Sequence, residues 1–366
     1  MSAALHVWIL ADVSRSVPGG MRRHMELHAE GLRRSGHRAS TFFSEEIAET
    51  AHRAIPRRTP GVRAYSALHE RYLAERPDII NVHTQLAPAW IVARRLGRVA
   101  ARVVVMSYSA DETAIRVRRP WDVLRWARAA VPARLSFPHA DGIWCVNQQD
   151  RKYYVSEYSV PGERVRVYPH AVGDEFLDSP ERPPRDPRQI LFVGTWIVRK
   201  GVDVLAAALE RVVLTLPDVR IVLAGTLVGE AVVRSALSPR LQARVRILDR
   251  ANDAELRNLY RTSALLLVPS RREGLPIGML EALACGCPPL AAANSGMLDV
   301  IVPGENGWLE TSFDPERWAN RLEALLGAPD ELARASAGAS ESAGRFRIEV
   351  VTSAVSAWYQ SLLEAP

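Results

Sequence analysis

Short apolar runs alternate with amphipathic segments along most of this 366-residue chain, and this alternation constrains the fold more than any other feature. In the first half the apolar runs lie at 6–10, 78–83 and 102–106, and helical patterns at 21–34 and 88–96 follow the first two. In the second half the alternation starts again, and we expect strands near 189–194, 219–224, 245–248 and 264–268. Strands that alternate with helices form parallel sheets, so we predict an α/β fold.

A proline-rich segment at 179–187 separates the two series of strands. It contains four prolines and no other apolar side chain, which is typical of a linker. Since 366 residues exceed one typical core, we predict two domains, 1–180 and 188–345. A last helical pattern at 350–363 lies beyond the second core, so 346–366 is predicted as a terminal helix.

The composition is that of an ordinary globular protein, with 48% hydrophobic and 24% charged residues. No apolar run reaches the roughly 18 residues that span a bilayer, and the start of the chain lacks a signal peptide's basic segment. The three cysteines, Cys145, Cys285 and Cys287, cannot all pair, so reduced thiols and a cytoplasmic location are expected. The net charge of +6 suits anionic substrates or an anionic membrane and does not by itself indicate nucleic acid.

The stretch from Glu273 to Glu281 carries the strongest indication of a binding site. Pro276 is placed to be a first helical residue, and the outward amides of a helix start bind anions such as a diphosphate. Glu281 lies about one turn into this helix, where its carboxylate can accept hydrogen bonds from ribose hydroxyls. Glu273 lies on the other side of the anion, within reach of sugar hydroxyls. The helix-start amides belong to Ile277, Gly278, Met279 and Leu280. A buried helix with two solvated acids is the alternative.

Lys200 marks a second anion site between an expected strand and an expected helix that starts near Gly201. The chain has only two lysines, Lys152 and Lys200, against 45 arginines. A compact ammonium at this place indicates a point-charge contact with a phosphate. A solvated surface lysine is the alternative.

Several motifs together resemble one known family. Glu273 and Glu281 form an E-x7-E pattern, and A-x-A-C-G-C-P follows directly at 282–288. The further matching segments lie at 191–194, 200–203, 222–225, 256–260, 269–270, 295–296 and 303–309. Between Gln189 and Leu309 the sequence resembles the retaining glycosyltransferases of family 4.

This resemblance implies a GT-B architecture, with two Rossmann-like domains facing across a cleft, and a last helix that crosses back to the first domain. It implies a nucleotide-sugar donor bound mainly by the second domain and transfer with retention at the anomeric carbon. Lys200 would bind the diphosphate, Glu273 the donor sugar and Glu281 the ribose. No D-x-D motif is present, so neither a metal nor another cofactor is expected.

One charge of the family pattern is missing from its usual place. Family members often carry an arginine directly after the first glycine of this loop, where this chain has Thr195. A nearby arginine would have to supply the second positive charge for the diphosphate. The candidates are Arg199, Arg271 and Arg272.

The first domain has weaker indications. Gly19 and Gly20 open a helix and resemble the family's glycine loop, which closes on donor phosphates or acceptor. His83 ends a strand and could bind substrate, although a structural role is an equal alternative. Ser109 stands where the family usually has a histidine. Asp111, or the adjacent Glu112, would take over its role in catalysis.

The segment 114–135 is rich in arginine and contains Trp121 and Trp126. Such a basic, aromatic helix could lie on the inner face of an anionic membrane, as a lipid-linked acceptor would require. A solvated helix with two half-buried tryptophans is the favoured alternative.

The sequence therefore predicts transfer of a hexose-type sugar from a nucleoside diphosphate to a hydroxyl acceptor of unknown class, with Glu273, Lys200 and Asp111 as catalytic residues. A non-catalytic nucleotide-sugar-binding relative is the main alternative, favoured by Ser109 and Thr195. A nucleotide-sugar epimerase and a nucleic-acid-binding protein fit the motifs less well.

Overall fold

The computed structural model describes residues 3–17, 19–50, 59–109, 131–177 and 183–365. Its contacts divide the chain into two compact units. The first unit comprises Met1–Ala171 together with Ile348–Pro366, and the second comprises Val172–Arg347.

The first unit is built on a six-stranded sheet with the order β2-β1-β3-β4-β5-β6, in which every pair of neighbours is parallel. Its strands are β1 (His6–Leu10), β2 (Arg38–Phe42), β3 (Ile79–His83), β4 (Arg102–Ser107), β5 (Gly142–Cys145) and β6 (Val165–Val167). Among the residues described within 3–171, its helices include α1 (Gly20–Arg34), α2 (Ser44–Thr50), α3 (Pro60–Glu75), α4 (Ala87–Arg95) and α5 (Gln148–Glu157), and residues 131–136 are also helical. The three strands predicted here are confirmed to within one residue at each end.

The second unit repeats this plan with the strand order β12-β11-β10-β7-β8-β9, again all parallel. Its strands are β7 (Asp186–Val193), β8 (Arg220–Ala224), β9 (Val245–Leu248), β10 (Ser263–Val268), β11 (Pro289–Ala292) and β12 (Trp308–Glu310). Its helices are α6 (Asp174–Leu177), α7 (Val202–Thr215), α8 (Glu230–Ser235), α9 (Pro239–Gln242), α10 (Asp253–Thr262), α11 (Ile277–Ala284), α12 (Ser295–Val300), α13 (Pro315–Leu326) and α14 (Pro329–Ser342). The predicted α/β class is confirmed.

The last helix, α15 (Ile348–Glu364), belongs to the first unit and packs along α1. The packing is close, because a Cβ on Gly31 would lie only 2.0 Å from the Thr352 hydroxyl oxygen. Deeper in the unit, the Tyr359 hydroxyl accepts a 2.6 Å hydrogen bond from Asn81 in β3. The terminal helix is therefore part of the core that supports α1 and the sheet.

The boundary between the units differs from the predicted one. It falls after Ala171 instead of within 179–187, because the Val172 amide donates to the Phe346 carbonyl and Phe176 packs against Tyr260. The end of the proline-rich segment belongs to the second sheet, since β7 begins at Asp186. Residues 179–182 of that segment lie outside the described residues.

None of the described helices combines the length and the apolar character that a bilayer crossing requires. The basic segment predicted at 114–135 lies outside the described residues up to Ala130, and so does Asp111.

Candidate active site

Lys200 ends a short 3-10 turn that leads from β7 into α7. The turn spans Val198–Lys200, and α7 begins two residues later at Val202, as the sequence predicted. Gly201 joins the two in a left-handed conformation with a φ of 72°, and a Cβ there would lie 1.9 Å from the carbonyl oxygen of Pro269. Only glycine therefore lets the turn pack on the loop that follows β10.

Glu273, within that loop, forms an ion pair with Lys200. The distance from the lysine Nζ to the glutamate Oε1 is 2.6 Å, and Nη1 of Arg199 lies 3.1 Å from the same oxygen. The Lys200 and Glu273 side chains expose only 18% and 11% of their surface, so water screens this pair poorly. The sequence assigned Lys200 to the diphosphate and Glu273 to the donor sugar, and the structure brings the two side chains into contact.

The structure also distinguishes the arginines that could supply the missing charge. Arg271 forms an ion pair with Asp203 at 2.6 Å, and its guanidinium stacks over Phe313. Arg199 instead lies beside Lys200, and its half-exposed guanidinium also donates to the Arg272 carbonyl at 3.1 Å. Arg199 is therefore the arginine that adds positive charge next to Lys200.

Helix α11 begins one residue later than predicted. Pro276 has a ψ of 118°, which is extended, so it precedes the helix and Ile277 is the first helical residue. The carbonyl of Pro276 accepts hydrogen bonds from the amides of Met279 and Leu280, at 3.0 and 3.3 Å. The amides best placed to meet an anion are consequently those of Ile277 and Gly278, in the first turn, where the helix itself offers no acceptor.

Glu281 lies on the inner side of α11 and is almost fully buried, with 4% exposure. Its Oε2 lies 3.4 Å from the Tyr260 hydroxyl, and Gly278 leaves room for that hydroxyl, since a Cβ there would approach it to 3.0 Å. Burial is the main cause that raises the pKa of Tyr260 well above 10, and the Glu281 charge adds to it. The phenol therefore remains a hydrogen-bond donor. The alternative of two solvated acids is wrong for both glutamates.

In the first unit, Gly19 and Gly20 lie at the start of α1, as predicted. Gly20 is the first helical residue, and the Gly19 carbonyl accepts a 3.1 Å hydrogen bond from the Arg23 amide. His83 is the last residue of β3 and is buried, and Ser109 follows β4 by two residues and is partly exposed. Both residues thus lie at the carboxyl edge of the sheet, where open parallel sheets bind ligands.

A group of histidines at this edge was not predicted. It consists of His24 and His28 on α1, His83, and His170 after β6, and we refer to it as the histidine cluster. Nδ1 of His24 lies 2.9 Å from Nδ1 of His170, although the two residues are 146 positions apart. The Tyr108 ring contacts His24, His83 and His170, with centroids 5.2–5.7 Å apart. The only sequence signal was His24 and His28, which lie one helical turn apart.

Burial keeps the imidazoles of His24, His28 and His170 neutral, because it lowers their pKa. It lowers the pKa of His28 and of His170 to about 3. It also lowers the pKa of His24 well below 6.5, with smaller contributions from His170 and His28. The carboxyl edge of the first sheet therefore presents neutral rings, whereas that of the second presents charged side chains.

Within the described part of the chain, no three histidine, cysteine or acidic side chains are grouped so as to hold a metal ion. The described thiols are buried, and burial raises the pKa of Cys285 to about 11 and of Cys287 to about 12.

Two family models match this chain. The model described as "Glycosyl transferases group 1" matches residues 174–342, and that described as "Glycosyltransferase Family 4" matches residues 18–176. The two matches follow the division into units closely.

Similar curated proteins carry the name D-inositol 3-phosphate glycosyltransferase. That of Xylanimonas cellulosilytica is 36% identical over 291 residues, which cover 74% of this chain and 68% of the relative. That of Thermobispora bispora is 31% identical over 243 residues, which cover 62% of this chain and 57% of the relative. The chain thus spans little more than half of the latter protein.

Solved structures with low sequence identity share the fold. Sucrose-phosphate synthase from Thermosynechococcus elongatus is 18% identical and superimposes with a TM-score of 0.81, covering 99% of this chain and all of the other. Anabaena HepE in complex with UDP and glucose is 15% identical, with a TM-score of 0.73 and coverages of 98% and 100%. The two sheets are therefore the two halves of a GT-B fold. With the family models and the Xylanimonas relative, this shows that the chain belongs to glycosyltransferase family 4.

Proposed function

We propose that this protein transfers a hexose-type sugar from a nucleoside diphosphate sugar to a hydroxyl acceptor, with retention at the anomeric carbon and without a metal. The observation that carries the proposal is the shielded contact between Lys200 and Glu273, next to the first turns of α7 and α11. The UDP-bound structure of HepE supports the choice of donor, because it has the same fold.

Lys200, Arg199 and the amides of Ile277 and Gly278 would bind the diphosphate. Two cationic side chains and a helix start can balance the roughly two negative charges of a diphosphate, which supports a mechanism without a metal. Once the phosphates engage Lys200, the Glu273 carboxylate is released to accept hydrogen bonds from the sugar hydroxyls. The ion pair thus holds both side chains in place before the donor arrives.

In the proposed reaction the bond from the anomeric carbon to the diphosphate oxygen breaks, and a bond to the acceptor oxygen forms on the same face. The acceptor proton passes to the departing phosphate. Negative charge grows on that phosphate in the transition state, where Lys200 and the helix amides stabilise it most. Glu281 would bind the ribose through its buried carboxylate, and Gly19, Gly20, His83 and Ser109 would contact the substrates from the first unit. Asp111, which lies outside the described residues, remains a proposed catalytic group.

A panel of nucleotide sugars tests the donor. We expect one family of UDP, GDP, ADP or dTDP sugars to raise the melting temperature in proportion to its affinity. Proton NMR of the product of transfer would then report the anomeric configuration, with D-inositol 3-phosphate as the first acceptor because of the relatives' name. Inversion would contradict retention, and the absence of any stabilising nucleotide would contradict the donor site.

A nucleotide-sugar-binding relative without activity is the second candidate, because Thr195 and Ser109 replace residues usual in the family. Slow hydrolysis of the stabilising donor by the wild-type protein, lost in Lys200→Ala, would exclude it.

A further inference from the structure

Tyr260, in the last turn of α10, makes a direct contact with the Glu281 carboxylate. Its hydroxyl donates a hydrogen bond to Oε2 of Glu281, with 3.4 Å between the two oxygens. Both side chains are buried, so water competes little for this bond. A bond of this length is weak, yet hydrogen bonds to a carboxylate are stronger than those to a neutral acceptor. The hydroxyl thus contacts the side chain to which the proposed function assigns the ribose.

Gly278 leaves a place for this hydroxyl on α11. A Cβ on Gly278 would lie 3.0 Å from the Tyr260 oxygen, which is tighter than an ordinary packing contact. Gly278 and Glu281 are three residues apart, so they share one face of the helix. The Tyr260 hydroxyl therefore lies against that face, next to both positions.

Arg185 holds the backbone around this contact. Its guanidinium donates to the carbonyls of Tyr260 and Ser263, at 2.8 and 2.7 Å, and to the carbonyl of Cys285 at 2.6 Å. Cys285 directly follows α11, so the C-terminal ends of α10 and α11 meet at one cation, which suits their partial negative charge. Arg185 belongs to the proline-rich segment that was predicted as a linker. It joins the two helices that carry Tyr260 and Glu281.

We propose that Tyr260 is a positioning residue, whose hydroxyl holds the Glu281 carboxylate in the orientation that accepts hydrogen bonds from ribose hydroxyls. The ribose rests on the proposed function, whereas the contact between Tyr260 and Glu281 does not. Arg185 supports this role, because it fixes the Tyr260 backbone relative to the end of α11.

Urea denaturation tests the contact without a ligand. Tyr260→Phe keeps the ring and removes the hydroxyl, and Glu281→Leu removes the acceptor with a side chain of similar size. Because each substitution breaks the same hydrogen bond, the double variant should lose less stability than the two single losses added together. Additive losses would overturn the proposal.

Nucleotides with and without ribose hydroxyls test the role in binding. Calorimetric titration would compare UDP, GDP and ADP with their 2′,3′-dideoxy analogues, which keep the base and the diphosphate. Tyr260→Phe should lower the affinity for the nucleotide that binds by about fivefold, the loss of one modest hydrogen bond, and leave the affinity for its dideoxy analogue unchanged. Equal losses for both would indicate a purely structural role and overturn the inference.

Tyr72→Phe is the matched control. Tyr72 is a buried tyrosine of the first unit, and its oxygen accepts a 2.7 Å hydrogen bond from the Ala100 amide. Its substitution should lower stability and keep the wild-type preference for ribose over dideoxyribose. If Tyr72→Phe weakens this preference as much as Tyr260→Phe does, the effect is one of general stability and the inference fails.

Glu281→Leu separates this inference from the proposed function, because it should abolish the preference for ribose. If it does so while Tyr260→Phe keeps the preference, the role of Tyr260 is refuted and the ribose assignment stands. If Glu281→Leu keeps the preference, the ribose assignment fails, and the role of Tyr260 in ribose binding fails with it. If no nucleotide binds the wild-type protein, the donor assignment fails, and urea denaturation still decides whether Tyr260 holds Glu281.

Discussion

The two units share one architecture and differ in the chemistry at the carboxyl edge of their sheets. The second unit places Lys200, Glu273 and Arg199 there, with ion-pair distances of 2.6 and 3.1 Å. The first unit places neutral histidines there, packed among aromatic rings. The same architecture therefore presents charged side chains at one carboxyl edge and neutral rings at the other, so the side chains and not the fold set the chemistry of each edge.

The largest expected effect concerns the histidine cluster and pH. Below about pH 6.5 the unfolded chain protonates His24, His28 and His170, whereas in the folded chain His28 and His170 remain neutral down to about pH 3. The free energy of unfolding should therefore decrease as the pH is lowered across this window, by about 1.4 kcal/mol per pH unit for each histidine. Urea denaturation should show a total loss of about 6 kcal/mol between pH 7 and pH 5.

A matched pair of variants tests the origin of this slope. His28→Phe should remove about a third of it. His139→Phe, at an exposed histidine, should leave the slope unchanged. Equal slopes in both variants would show that the cluster does not govern acid stability.

The second prediction concerns the turn that carries Lys200. Gly201→Ala should destabilise the protein by about 2–4 kcal/mol, since the left-handed conformation and the clash with Pro269 both oppose a Cβ. Gly97→Ala is the control, because Gly97 has a φ of 69° and a Cβ added there would meet no atom within 4 Å. It should cost about 1–2 kcal/mol in urea denaturation. Equal losses would mean that the contact with Pro269 is unimportant.

The third prediction concerns the charge of Lys200. Lys200→Ala should raise the activation free energy of transfer by about 2–4 kcal/mol, because charge grows on the leaving group. The exposed Lys152 provides the control, and Lys152→Ala should keep wild-type kcat/KM. Near-wild-type turnover of Lys200→Ala would place the diphosphate elsewhere.

The smallest effect is expected at Arg199, whose guanidinium is half exposed. Arg199→Ala should lower donor affinity by about 1 kcal/mol, measured by calorimetric titration with the preferred nucleotide sugar. Thr195→Arg in that background restores the arginine to the place usual in the family, and it should recover most of the loss. A double variant no better than Arg199→Ala would show that the two positions are not interchangeable.

Local patterns were enough to predict most of the fold. Strand β9 matches its predicted limits, and α7 starts one residue from its predicted start, because apolar periodicity and glycine positions act within a few residues. The boundary between the units was harder to predict from the sequence. Proline content indicated a linker, but the pairing of Val172 with Phe346 and Arg347 depends on tertiary structure.

The sequence indicated candidate residues for the site but not their geometry. E-x7-E and Lys200 marked the candidate side chains, whereas the contact between Lys200 and Glu273 joins residues 73 positions apart. The positions of Lys200 and Glu273 along the sequence do not predict this contact, because it depends on Gly201 packing against Pro269. The pair of His24 and His170 was missed for the same reason, since each histidine alone is an ordinary residue in its own segment.

The scarcity of lysine gives the contact with Glu273 a practical consequence. The sequence offers an amine-selective reagent only two lysine side chains, Lys152 on the surface of α5 and Lys200 in its shielded pair. With the exposed Lys152 as internal reference, the labelling rate of Lys200 would show whether a ligand covers its amine.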